Sequence, residues 1–227
     1  MYASGAVPGK IVTIGSESLR YDLIAFVAPQ GGGKDTQVGM LNRVTCPKTQ
    51  ILTMSSIFGH YQVTDPAFAQ EQAMRMSRGE LVGDDVTVSC LRRYIGEMCV
   101  GASTLVLNGF PRSGAQAFAL EGTGYQFCGI RRPRIGAIVM DLTEELAYQR
   151  CLGRAHDAQR ANKPVRGDDR PDLIQKRLAT YFKHLPEIVG ALKVVGDVFE
   201  IDASRSMDEV HDLVVGAVTG KSEEFKV

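Results

Sequence analysis

Five short apolar segments alternate along the chain with longer segments in which apolar residues recur at helical spacing. The apolar segments are 22–27, 50–53, 104–108, 135–141 and 198–202. Short and nearly continuous apolar runs are typical of strands buried on both faces, and strands that alternate with helices predict a parallel sheet. The pattern therefore predicts an α/β fold, in which a five-stranded parallel sheet carries helices on both faces.

Capping residues predict where the helices begin. The predicted starts are Gly33, Asp65 followed by Pro66, Asp84 or Asp85, Thr143, Asp168 or Asp169, and Ser206 with Glu209 as a capping box. We expect the helix from Asp65 to end near Ser77 and the helix from Thr143 to end near Arg154. Pro186 should kink or restart the long helix that contains it.

One junction between a strand and a helix carries the clearest chemistry in the chain. The first apolar run ends in three glycines, a lysine and a threonine, within the segment 28–36. Glycines let backbone N–H groups surround phosphate oxygens, a helix N-terminus adds partial positive charge, and the lysine reaches the outer phosphates. Ala28 and Asp35 depart from the usual pattern G-x-x-x-x-G-K-[ST]. A glycine-rich turn with a surface lysine is the less favoured alternative in this strand–loop–helix context.

Composition argues against several classes of function. The 227 residues include 26 basic and 26 acidic ones, so a general affinity for nucleic acid or anionic membranes has no support. The five cysteines contain no C-x-x-C pair, which argues against a zinc site and a disulfide framework. No apolar run is long enough to span a membrane, and residues 1–20 lack the pattern of a secretory signal. We therefore expect a protein of the reducing cytoplasm.

Two further motifs make the phosphate-binding loop more specific. Asn108-Gly109-Phe110-Pro111-Arg112 ends the third apolar run, and Gln116 follows it. Arg166-Gly167-Asp168-Asp169 precedes the long predicted helix. Together with the segment 31–37, these motifs and their order resemble the adenylate kinases and related nucleoside monophosphate kinases over nearly the whole chain.

The resemblance implies a division of the chain into a core, an insert and a lid. The implied ranges are 1–21 for a polar leader, 22–220 for a single P-loop kinase domain, and 221–227 for a tail. Within the domain they are 22–53, 84–154 and 168–220 for the core, 54–83 for a small helical monophosphate-binding insert, and 155–167 for a short lid. The lid segment is polar and basic, which is typical of an exposed and mobile insert.

By resemblance, the chain is a phosphotransferase that catalyses ATP + AMP ⇌ 2 ADP with magnesium. Such a reaction concentrates negative charge where two polyphosphates meet, and it needs positioning and positive charge rather than a nucleophilic side chain. The implied partners are ATP and a nucleoside monophosphate, with AMP favoured. A monomer is expected, without zinc and without nucleic acid or membrane partners.

The resemblance also assigns roles to single residues. Those implied for catalysis are Lys34, Arg112, Arg150, Arg154, Arg166 and Arg177. Those implied for ATP binding are Gln30, Gly31, Gly32, Gly33, Lys34, Asp35, Thr36, Arg150 and Arg154. Those implied for monophosphate binding are Thr53, Met54, Glu80, Leu81, Val82, Gly109, Arg112, Gln116, Arg166 and Arg177. No direct protein ligand of magnesium is expected, and the candidates for outer-sphere contact are Asn108 and Asp35.

Four positions depart from the family pattern on the acceptor and metal sides. Gly59 stands where the family has an arginine that grips the acceptor phosphate, and Met54 replaces a threonine that contacts the base. Asn108 replaces an aspartate of the magnesium shell, while Asp35 adds a carboxylate beside the loop. The candidates to replace the missing arginine are His60 and Arg75.

These departures leave three alternatives open beside an adenylate kinase. The acceptor could be UMP, CMP or a deoxynucleotide. The chain could be a nucleotide-binding paralogue with weak or lost catalysis. It could also be a different P-loop NTPase that hydrolyses nucleotide, although the segment 108–112 would then have no explanation.

Asp168 and Asp169 have two compatible interpretations. A carboxylate at either position would cap the N-terminus of the long helix. The family uses these positions to orient nearby arginines. We expect both roles.

Overall fold

A computed structural model describes residues 19–65, 83–164 and 169–221. The predicted helix that follows Asp65 lies outside these ranges. The candidate residues that also lie outside them are Arg75, Glu80, Leu81, Val82, Arg166 and Asp168.

A five-stranded parallel sheet forms the centre of the molecule. Its strands are β1 (Leu23–Val27), β2 (Thr49–Thr53), β3 (Thr104–Asn108), β4 (Ile135–Asp141) and β5 (Asp197–Asp202). They lie in the order β2-β3-β1-β4-β5, and every neighbouring pair is parallel. Each observed strand agrees with its predicted segment to within one residue at either end. The central strand β1 is buried at all five positions, as its continuous apolar run predicts.

Helices cover both faces of the sheet. Those in the described residues are α1 (Lys34–Val44), α2 (Met54–Thr64), α3 (Asp84–Met98), α4 (Gly114–Cys128), α5 (Glu144–Arg160), α6 (Pro171–Val195) and α7 (Met207–Thr219). Successive side chains of β1 point to opposite faces. Leu23 and Ala25 join one apolar cluster with residues of α2, α3 and α4, whereas Ile24 and Phe26 join another with residues of α1, α5 and α7. The predicted arrangement of helices on both faces is therefore confirmed.

Most predicted helix starts agree with the structure. Gly33 is the N-cap of α1. Helix α3 begins at Asp84 but has Gly83 as its N-cap, so the prediction that Asp84 or Asp85 caps it is wrong. Thr143 caps α5 through a hydrogen bond that its side chain accepts from Leu146 N. Ser206 and Glu209 form the predicted capping box of α7. The caps of α5 and α7 could be predicted because a side-chain cap depends on residues only three positions apart.

Helix α5 is longer than predicted. It continues to Arg160 instead of ending near Arg154. Residues 155–160, the first six of the lid expected at 155–167, are therefore helical. Alanine, glutamine and arginine are good helix formers, and an established helix propagates at little cost without an apolar face. The missing apolar rhythm was therefore a poor indication of mobile, irregular structure here.

Helix α6 differs from its prediction in its start and in its continuity at Pro186. The helix begins at Pro171 with Arg170 as its N-cap, so Asp169 does not cap it. Proline suits this first position because it lacks only an N–H group that would have no partner within the helix. The helix also continues through Pro186 to Val195 without restarting. Ile188 and Leu192, which follow the proline, are buried, and this packing offsets the lost hydrogen bond.

Candidate functional site

The glycine-rich loop lies at the carboxyl end of β1, between β1 and the first turn of α1. Gly31 and Gly33 have φ values of 83° and 81°, which favour glycine. A Cβ atom on Gly31 would lie 2.6 Å from the carbonyl oxygen of Ala147 in α5, so the loop packs directly on the main chain of that helix. The backbone geometry and the adjacent N-terminus of α1 provide the features of an anion-binding loop.

Lys34 of α1 and Arg112, which follows β3, approach the same place. Gly109 has a φ of 75°, and a Cβ atom built on it would lie 3.2 Å from Lys34 Cε and 3.8 Å from Arg112 Nη2. These two atoms are therefore no more than about 7 Å apart. Arg112 Nε donates to the Gly109 carbonyl at 3.0 Å, which fixes the guanidinium there. Two cations from loops of adjacent strands thus share one cleft, as a pair of bound phosphates would require.

A second guanidinium lies close to Arg112. Arg112 has solvent-exposed surface, but loss of surrounding water lowers the pKa of its guanidinium, and the positive charge of Arg177 lowers it further. The charged form of Arg112 is therefore less stable here than in water. An anion between these two guanidinium groups would restore the lost stabilisation, and phosphate suits their planar forks.

Asp169 connects the phosphate-binding loop with α5. Its carboxylate is buried and accepts two hydrogen bonds from the guanidinium of Arg154, one of them from Nε at 3.1 Å. Gln30 Nε2 of the loop donates to the same carboxylate at 3.1 Å. Asp169 therefore makes the contact that an arginine-orienting residue requires, although it does not cap α6. The role of Gln30 in this connection was not foreseen from the sequence.

Two further candidates for ATP binding are Arg150 and Thr36. Arg150 Nη1 donates to the Ala203 carbonyl oxygen, between β5 and α7, at 2.9 Å. Thr36 is exposed in the first turn of α1. Their predicted roles in ATP binding stay predictions.

On the acceptor side, Gln116 is buried and both ends of its amide are engaged. Its Oε1 accepts from the backbone N–H of Arg112 at 2.8 Å, and its Nε2 donates to Asp84 at 2.8 Å. Asp84 also accepts from Ser113 Oγ at 2.8 Å. Base recognition by Gln116 remains a prediction, and in this structure it would compete with Asp84. The sequence indicated Asp84 only as a helix cap, because its partners lie about thirty residues further along the chain.

The first helix of the expected monophosphate insert, α2, is capped by Thr53. The Thr53 side chain accepts a hydrogen bond from Ser56 N. Met54 is buried among the apolar residues of the core. A threonine that contacts the base would present a hydroxyl group, whereas Met54 packs its side chain into the protein.

The position of the missing arginine is sterically open. Within the described part of the chain, a Cβ atom on Gly59 would meet no atom within 4 Å beyond its chain neighbours and the backbone of its own helix. The ring of His60, one candidate substitute, makes edge contacts with the rings of Tyr61 and Tyr94 at centroid distances of 5.2 and 5.3 Å. His60 is therefore engaged in aromatic packing, while Arg75 lies outside the described residues.

The two candidates for magnesium contact lie side by side. Asn108 Nδ2 donates to Asp35 Oδ1 at 2.9 Å, and the Lys34 ammonium binds the same oxygen at 2.7 Å. Asn108 Oδ1 is buried and has no hydrogen-bond partner among the described residues. Carboxylate and amide oxygens are ligands that Mg²⁺ accepts, directly or through its water molecules. The donor set of Asp35 and Asn108 therefore fits the ion.

Within residues 19–65, 83–164 and 169–221, no group of three or more histidine, cysteine, aspartate or glutamate side chains is placed to hold a metal ion. No helix in the same ranges is both long and apolar enough to cross a membrane.

Comparison with known proteins identifies relatives, although no family model matches the chain. The adenylate kinase of Chelativorans sp. (strain BNC1) is 29% identical over 195 residues, which are 85% of this chain and 96% of that protein. The adenylate kinase of Xanthomonas campestris pv. campestris (strain B100) is 29% identical over 187 residues, 82% of this chain and 94% of that protein. The chain is a distant relative of the adenylate kinases.

A third relative, the adenylate kinase of Xanthomonas euvesicatoria pv. vesicatoria (strain 85-10), is 29% identical over 196 residues, 86% of this chain and 98% of that protein. The parallel sheet, its helices on both faces and the loop after β1 form the P-loop kinase fold, as predicted. The expected relationship to adenylate kinases is confirmed, and an enzyme of the phosphotransferase class agrees with the names of these relatives.

Proposed function

We propose that the chain is a nucleoside monophosphate kinase that transfers a phosphoryl group from ATP to AMP and forms two molecules of ADP. The observation that carries this proposal is the approach of Lys34 and Arg112 to the same point at Gly109. A donor held by the loop and an acceptor held beside β3 would meet between these cations. The adenylate kinase names of the relatives support the same reaction.

The proposed mechanism depends on positive charge and position. Backbone N–H groups of the loop and the Lys34 ammonium bind the outer phosphates of ATP. Arg112 and Arg177 hold the acceptor phosphate, and Arg154, oriented by Asp169, stabilises the charge on the transferred group. An oxygen of the acceptor phosphate attacks the terminal phosphorus of ATP, and ADP leaves. The protein therefore needs no side-chain nucleophile.

Magnesium supplies charge neutralisation of the phosphates when it is bound, and Asp35 and Asn108 are the residues that would hold it or its water molecules. Asn108 contributes an uncharged oxygen, so the negative charge on the protein side comes from Asp35. The other residues proposed for ATP are those of the loop and the arginines of α5: Gln30, Gly31, Gly32, Gly33, Thr36, Arg150 and Arg154.

The domain assignment belongs to the same proposal. Residues 54–83 would close over the monophosphate, and residues 155–167, of which 155–160 extend α5, would close over ATP. Closure would exclude water that otherwise accepts the phosphoryl group. We also propose a monomer in the cytoplasm, and the five free cysteines support a reducing location.

A second candidate function follows from Gly59. The described residues leave space beside Gly59, where the family has an arginine, and Gln116 is engaged with Asp84. Both features favour weak binding of AMP, so a different acceptor (UMP, CMP or a deoxynucleotide) or a nucleotide-binding protein with weak catalysis is the alternative.

A panel of acceptors tests the proposal. ADP formation from ATP and Mg²⁺ is measured with AMP, UMP, CMP and dAMP in turn, for the parent protein and for Lys34→Gln. We expect turnover that depends on AMP and is lost in Lys34→Gln, whereas Lys193→Gln, which changes an exposed lysine paired with Glu200, retains it. Folded protein that turns over none of the acceptors would refute the proposal. Release of phosphate without any acceptor would favour the hydrolase alternative.

A further inference from the structure

The carboxylate of Asp35 is bound to the lysine that is expected to receive the phosphates. Lys34 Nζ and Asn108 Nδ2 both contact Asp35 Oδ1, at 2.7 and 2.9 Å. The carboxylate side chain is 59% exposed and the lysine side chain 25% exposed, so the ion pair lies at the open face of the loop. An entering nucleotide therefore meets a lysine whose charge is already partly neutralised.

We propose that Asp35 makes nucleotide binding at the phosphate loop conditional on a divalent cation. This inference rests on the proposed function, because it assumes that ATP is the ligand of the loop. Asp35 would weaken the binding of metal-free ATP but not the binding of ATP that carries Mg²⁺.

The discrimination against metal-free ATP follows from charge. Its outer phosphates must take Lys34 away from Asp35 and then lie beside a carboxylate of the same sign. Like charges a few ångströms apart repel, especially where protein limits the access of water. The Asn108 amide holds the carboxylate towards β3, so Asp35 cannot swing away from the phosphates without losing that hydrogen bond.

The opposite effect is expected for ATP with Mg²⁺. The cation offers the carboxylate a new partner at the moment when Lys34 turns to the phosphates, so neither charge is left uncompensated. The neighbouring Asn108 Oδ1, buried and without a hydrogen-bond partner among the described residues, adds a second oxygen suited to the ion or its water. Asp35 and Asn108 thus form one unit that responds to the metal.

A helix-capping role alone does not account for Asp35. A carboxylate in the first turn of a helix is stabilised by the helix dipole. Asp35, however, also reaches out of α1 to Asn108, a residue 73 positions away on β3. Asp172 occupies the equivalent second position of α6, is 60% exposed, and pairs with Arg170 two positions before it. Asp172 therefore provides a matched control for a helix-start carboxylate.

The test is the affinity of the protein for ATP, measured by isothermal titration calorimetry with excess EDTA and again with excess Mg²⁺. For the parent protein we expect metal-free ATP to bind at least about tenfold more weakly than MgATP, where tenfold corresponds to about 1.4 kcal/mol. Asp35→Asn keeps an oxygen that can accept from Asn108 but removes the charge. It should tighten metal-free ATP about tenfold without tightening MgATP, and Asp172→Asn should change neither affinity.

Asp35→Ser removes the same charge with a smaller side chain, so it should give the same shift. Unchanged affinity for metal-free ATP in both folded Asp35 variants would overturn the inference. An equal change in the affinity for ATP with and without Mg²⁺ would also overturn the inference, and in that case the proposed function would still stand. If the parent protein bound neither form of ATP, the proposed function and this inference would both fall.

Discussion

Replacing Asp169 by asparagine tests whether the buried carboxylate positions Arg154 for catalysis. The change keeps the size of the side chain but removes its charge. In the folded protein the side chain of Asp169 is 2% exposed, and that of Arg154 is 35% exposed. The carboxylate accepts two bonds from Arg154 and one from Gln30.

The expected loss of stability follows from these contacts. Breaking a fully buried ion pair costs about 3–5 kcal/mol. Water can reach Arg154, so the cost should be closer to that of one charge-assisted hydrogen bond, about 2 kcal/mol. The matched control is Asp172→Asn, because Asp172 and Arg170 are 60% and 70% exposed. An exposed pair of this kind contributes about 0–1 kcal/mol.

Two measurements check this expectation. Urea unfolding followed by circular dichroism should show a loss of about 2 kcal/mol in the free energy of unfolding for Asp169→Asn and little change for Asp172→Asn. Steady-state kinetics at saturating substrates should show a fall in kcat of about 10- to 100-fold for Asp169→Asn, since a misplaced arginine no longer meets the transferred group. Full kcat in Asp169→Asn would refute the positioning role, and equal destabilisation by both variants would refute the argument from burial.

Two further predictions concern the acceptor site and acid stability. Gly59→Arg adds a guanidinium at a position where a Cβ atom has room among the described residues, so the KM for AMP should fall about tenfold, the effect of one charge-assisted contact. An unchanged KM would show that the acceptor phosphate lies elsewhere. Burial alone would raise the pKa of Asp22, but hydrogen bonds from Arg131 and Arg134 outweigh it and lower the pKa from 3.8 to about 2. The bound carboxylate therefore adds about 2 kcal/mol of stability above pH 4, which is lost as the pH falls to 2. The free energy of unfolding, measured in urea between pH 5 and pH 2, should fall by about 2 kcal/mol less in Asp22→Asn than in the parent protein. The same dependence on pH in both proteins would contradict the assignment.

The strands β1, β3 and β4 could be predicted closely because each is a nearly continuous apolar run that is buried along most of its length, and the shorter apolar segments of β2 and β5 alternate with helical patterns in the same way. The end of α5 could not be predicted in the same way. Residues 155–160 form helix without an apolar face, so they leave no periodic signal in the sequence. The start of α6 was misjudged because two aspartates suggested a cap, whereas Pro171 determines the first turn.

The sequence motifs predicted which residues belong to the candidate site, but they did not predict most of the contacts between those residues. The sequence indicated Lys34 and Arg112 as cations of one site, and the structure brings them together at Gly109. The contact between Gln30 and Asp169 joins residues 139 positions apart, and no local pattern encodes such a pair. The same reason explains why Asp84 was recognised as a helix start but not as the partner of Gln116.

The close approach of Gly31 to the Ala147 carbonyl has a consequence for how this chain tolerates divergence. The contact joins two stretches of main chain, and it exists because Gly31 has no side chain. The spacing between the loop and the helix that carries Arg150 and Arg154 therefore depends on Gly31 having no Cβ atom. Any side chain introduced at Gly31 should accordingly push the loop away from the helix that carries Arg150 and Arg154.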